Sequence, residues 1–146
     1  MKAKNRNLIL LFSFLLFTNN LFGNYAFKKK VKSVCSSYRI VVQSSQFLLE
    51  SNQFTSSLES GRNNFEMFML VGFASAGQAI THQKEMGLTN AYLPTDIKVS
   101  VAVPIAKGEY NTFVANCKSN VAISLANGTL DSSEFMQQIM KNMEIQ

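Results

Sequence analysis

The chain has 146 residues, 47% of them apolar and 16% charged, with a formal net charge of +5 and a mean hydropathy of +0.04. That is one domain's worth of chain, too apolar for wholesale disorder. Seven Gly and two Pro exclude collagen-like and Pro-rich architectures, two Cys exclude a four-Cys zinc module, and one His excludes any site built on two imidazoles.

Lys2, Lys4 and Arg6 precede a ten-residue apolar run, Leu8–Phe17, which polar Thr18, Asn19 and Asn20 follow. Charge, short apolar run and polar region in that order predict a secretory signal peptide. Ten helical residues rise roughly 15 Å, about half a hydrocarbon core, which disfavours a permanent span; the competing readings are an uncleaved anchor extending through Leu21-Phe22 and a buried N-terminal helix. Cleavage prefers a small last residue, so the leader is expected to be residues 1–23, ending at Gly23, with Ala26 as the second choice. The protein is then expected to be secreted or periplasmic. The alternative is an uncleaved membrane-anchored protein.

Residues 24–32 read as a basic, flexible N-terminus holding Lys28, Lys29, Lys30 and Lys32. From Ser33 onward there are seven bases against nine acids, so the basic balance sits at one end of the chain. A run of this kind suits weak contact with an anionic surface and lacks what nucleic-acid recognition needs. Beyond it, residues 33–146 are expected to form a single all-α domain of about four main helices.

Val31, Val34/Cys35, Tyr38, Val41/Val42 and Leu48/Leu49 recur at helical spacing, predicting a first helix over 31–49. Polar residues 51–64 read as a connection. Asn63 or Asn64 then caps a second helix, with Glu66 in its first turn and a stop at Met86-Gly87. Its centre, 70–79, is apolar nearly all round, the mark of a buried central helix. Gly72 and Ala76 make a small-xxx-small pair that lets a neighbour approach closely. Ile97, Val99, Val101 and Val103 alternate with smaller or polar residues, a strand period over 95–104. Without a second convincing strand, this segment is expected to be extended or β-like inside a helical domain, the alternative being a short helix over 96–102 capped by Thr95. Residues 110–126 read as a third helix ending at Asn127-Gly128, and Asp131-x-x-Glu134 starts a fourth.

Cys35 and Cys117 both fall on predicted apolar stripes, and in an oxidising compartment a disulfide between them is expected. Met136, Met140 and Met143 follow i, i+4, i+7. Core packing is the default reading of that stripe, and a protein-contact groove is the alternative. No phosphate loop, nucleophile elbow, HExxH or haem motif occurs, so no catalytic, metal or cofactor residue is assigned. The expected function is non-enzymatic binding of another extracytoplasmic protein, as an inhibitor or immunity factor. The alternative is a small cell-wall hydrolase using carboxylates among Glu50, Glu59, Glu66, Asp96, Glu109, Asp131 and Glu134.

Overall fold

The computed structural model describes residues 22–146, and the expected leader lies almost wholly outside them. The first helix, α1, covers residues 22–37. A 3-10 turn at Ser44–Gln46 leads into β1 (Phe47–Leu49), followed by β2 (Gln53–Glu59), α2 (Phe65–Met86), β3 (Asp96–Ala106), β4 (Glu109–Lys118), α3 (Ser119–Ala126), α4 (Ser132–Met140) and β5 (Glu144–Ile145). The strands form one five-stranded sheet in the order β1-β2-β3-β4-β5. Neighbours are antiparallel except β2 and β3, which are parallel and joined by α2 as the crossover that parallel strands require.

The all-α expectation is therefore wrong: the domain is mixed α/β. The alternating 95–104 segment is a full strand with partners on both sides. Ile97, Val99 and Val101 point to one face together with Phe54, Ser56 and Leu58 of β2 and Cys117, Ala115 and Phe113 of β4. α2 packs on that face, as the closeness of Gly72 to Val99 and the Phe65–Phe113 ring pair show, and Phe27 of α1 meets Phe54 there. The other face carries Thr55, Ser57, Lys98, Ser100, Thr112 and Asn116, with Val114 as a buried apolar residue beside β5. One packed face and one polar face explain the period-two signal in β3. In β2 the same alternation is muted, because polar Ser56 occupies a buried position.

Three expected segments change accordingly. The helix predicted over 31–49 ends at 37, where Arg39 turns into left-handed backbone (φ 61°) and Ile40 N–H bonds back to the Cys35 carbonyl. The polar 51–64 connection contains β2. The helix predicted over 110–126 is β4 as far as Lys118, and only Ser119–Ala126 is helical. Gly108 (φ 77°) supplies the tight turn of the β3–β4 hairpin.

Residues 24–32, read as a flexible tail, are helical. Gly23, Phe27, Val31, Val34 and Cys35 form the buried stripe of α1, and Phe27 is 0% exposed. Its ring meets Phe54 and Tyr92 edge-on, each at 4.9 Å. Burying such a side chain stabilises by about 2–3 kcal/mol.

α2 and α4 match expectation closely. α2 starts after Asn64, though without a side-chain cap bond, and ends at Gly87 in left-handed backbone (φ 62°). Asp131 caps α4 by accepting from the Ser133 and Glu134 amides. α2 is the central helix, with Met69, Phe73, Ala76 and Ile80 buried against the sheet and its neighbours. Two glycines set how close those neighbours come. A Cβ on Gly72 would lie 2.8 Å from Val99 Cγ1, and one on Gly77 only 2.2 Å from the Ala122 carbonyl oxygen of α3.

Candidate functional site

α2 is central but not fully covered. Leu70, Ala74 and Gln78 recur every four residues and so share one face of the helix. All three are half-buried and form the floor of a hollow of about 400 Å³. Tyr38, just beyond the end of α1, lines it with Met67 of α2 and Leu125 and Ala126 of α3. The rim carries Glu66 and Ser132. A hollow of this volume, apolar with a few polar groups at its edge, has the make-up of a recognition site.

The hollow continues along α2. Gln78 and Ala126 also line a smaller depression with Lys30, His82 and Glu85. Lys30 and His82 in turn line a third hollow of about 410 Å³, with Phe22, Tyr25, Lys29 and Met86. A furrow thus follows α2, apolar at one end and cationic and aromatic at the other. Its existence depends on spacing: Gly77 draws α3 close on one side of α2 while α1 packs on the other, and the strip between them stays open.

The α1 side of the furrow is tied down by a buried amide. Gln83, 0% exposed, donates from Nε2 to the Gly23 carbonyl (2.9 Å) and accepts at Oε1 from the Tyr92 amide (3.0 Å). The single proton of the Tyr92 hydroxyl goes to the Glu50 carbonyl (2.6 Å), with the Gln53 carbonyl 3.1 Å away. Burial pushes the Tyr92 phenol above its ordinary pKa, with the Glu50 charge adding to the effect. It remains a neutral donor. Cleavage after Gly23 or Ala26 would remove the acceptor that Gln83 uses.

The expected Cys35–Cys117 disulfide is not formed, and both thiols are free. The pairing rested on placing Cys117 on a helix stripe. It lies instead on β4 opposite Ile97, while Cys35 ends α1 beside Ser75 of α2. Burial raises the Cys35 thiol pKa against an opposing hydrogen bond with the Ser75 side chain. Burial also pushes Cys117 up to about 12, partly offset by a hydrogen bond to the Ala122 backbone. Thiols held protonated in this way are poor nucleophiles.

The methionine stripe divides. Met136 is buried with Phe135 and Ile139, Met143 packs partly against the core, and Met140 is 58% exposed. Phe135 meets Phe73 of α2 edge-on at 5.1 Å, so this face of α4 serves the core.

Among the carboxylates of the hydrolase reading, Glu66 reaches the apolar hollow. Asp96 is bound by Lys118 Nζ at 2.7 Å and by the Thr95 hydroxyl, and these bonds hold its carboxyl below the usual range. A general acid needs the opposite shift. Among the described residues, no three His, Cys, Asp or Glu side chains gather as metal ligands, and no helix is long and apolar enough to cross a membrane. Comparison with protein-family models, curated proteins and solved structures gave no match to this chain.

Proposed function

We propose that this protein is an exported binding protein whose α2 furrow receives an apolar segment of another extracytoplasmic protein, in the manner of an inhibitor or immunity factor. One observation carries the reading: the hollow over Leu70 and Ala74, walled by Tyr38, Met67 and Leu125, is apolar and open in a chain whose other large apolar side chains mostly pack inward. The leader-like order of residues 1–20 supports export.

A furrow between packed helices suits a partner segment that places one apolar anchor in the hollow and a polar or acidic portion toward Lys30 and His82. Binding energy would then concentrate at the anchor, with the rim excluding water. The test is paired capture from the extracytoplasmic fraction with wild type and Ala74→Arg, both verified as folded. The expected result is a stoichiometric partner held by wild type and lost by the variant. A partner held equally by both would overturn the furrow as its site. Turnover of wall polymer that disappears on Glu66→Gln would overturn the non-enzymatic reading.

A further inference from the structure

We infer that the outer face of α1 is a docking surface for an anionic lipid bilayer. Its buried stripe, Gly23, Phe27, Val31 and Val34, leaves Phe22, Tyr25, Lys29 and Ser33 on the opposite side. Phe22 and Tyr25, one turn apart, are 55% and 63% exposed. Tyr25 and Lys29 line the hollows on both sides of the helix, so they stand as a ridge. Lys30 flanks it on the His82 side, and Lys28 and Lys32 flank it on the Ser44 side. A convex ridge with cations on both flanks fits a flat anionic surface better than a small ligand.

Two further observations separate a lipid surface from a soluble polyanion and from a solvated tail. A polyanion recruits lysines but gives exposed Phe and Tyr rings no apolar medium. A bilayer interface accepts both, with the rings at headgroup depth. The lysines are also presented on a fixed helix, since Phe27 is wholly buried and the Gly23 carbonyl is held by Gln83. Little ordering is then left to oppose binding. With seven bases against nine acids from Ser33 onward, the body of the chain offers no comparable attraction, so the charge distribution orients it with its basic N-terminal end first. This inference shares Phe22, Tyr25, Lys29 and Lys30 with the cationic end of the α2 furrow and applies to a chain that keeps residues 22–25; the vesicle assay contains no protein partner, so its outcome is separate from that of the furrow reading.

The experiment is co-sedimentation of the chain with vesicles of phosphatidylcholine alone or with an equal share of phosphatidylglycerol, at about 0.1 and 0.5 M salt. Any contribution from residues 1–21 is common to all variants, so differences between variants report on α1. Each lysine near an anionic surface contributes about a fivefold factor, so Lys29→Gln with Lys30→Gln should weaken binding to the mixed vesicles by about 25-fold. Phe22→Ser with Tyr25→Ser should weaken it as well, and salt should weaken wild type more than the lysine variant. These residues lie on the outer side of α1, and circular dichroism should confirm an unchanged fold. Equal binding of wild type and the lysine variant would overturn the proposal. So would binding to soluble polyphosphate that matches the vesicles and ignores the aromatic substitutions, since that outcome identifies a polyanion site.

Discussion

The two sides of α2 obey different rules. At Gly72, which faces the sheet, and at Gly77, which faces α3, the helix lies so close to Val99 and Ala122 that a single added Cβ does not fit, and the contact at Gly77 is with backbone, which cannot rotate away. On the Leu70–Ala74–Gln78 side the same helix borders open space. One helix thus contains both positions that admit no added atom and a strip with room beside it. Packing that is keyed by missing atoms is sensitive to their addition, and a half-covered groove is not.

The largest expected effect is at Gly77. Gly77→Ala should destabilise by about 2–3 kcal/mol even though Ala is the better helix former, lowering Tm by about 10 °C. An unchanged melting curve would mean that α3 withdraws without cost, and the contrast between the two sides would collapse. Gln83→Leu should follow, at about 2 kcal/mol. It leaves the Gly23 carbonyl and the Tyr92 amide without their partner while keeping the volume. Chemical denaturation with an unaltered m-value is the measurement, and Gln83→Glu should not rescue the variant because it cannot donate to Gly23 when ionised.

On the open side, Ala74→Gln should change stability by no more than about 0.5 kcal/mol, within the usual range for surface substitutions. A loss as large as that of Gly77→Ala would show that the furrow is closed in solution. The smallest effect concerns the exposed Asp96–Lys118 pair linking β3 and β4. Because the folded carboxyl titrates below its unfolded value, its contribution is fully present above about pH 4 and fades as pH falls through the lower folded value. Denaturation of wild type and Asp96→Asn should therefore differ slightly near neutrality and converge in acid. A gap that widens in acid would contradict the pairing.

Local signals in the sequence located α2 and α4, because capping residues, a glycine stop and helical spacing act within a few positions. They also exposed the alternation of β3. They missed β2 and β4. Ser56 breaks the apolar alternation of β2, and Phe113, Val114 and Cys117 fit a helical stripe nearly as well as a strand. The tail reading of 24–32 failed for a similar reason. Four lysines drew attention from the Phe27–Val31–Val34 stripe that continues α1 toward Gly23.

For the candidate site, the sequence showed that 70–79 is apolar nearly all round, but not which strip stays uncovered. That depends on where α1 and α3 settle, and their distance from α2 is set by the absent side chain of Gly77 and by the bond from Gln83 to Gly23, a contact 60 positions apart. The cysteine pairing met the same limit, since two apolar positions 82 residues apart share a core without sharing a bond. By itself the sequence determined the helix boundaries written in caps and turns, the one-ended placement of positive charge, and the apolar character of α2. Only the tertiary structure decided the sheet, the free thiols, the furrow and the ridge on α1, because strand partners and helix spacing are set by contacts between residues that no local pattern connects.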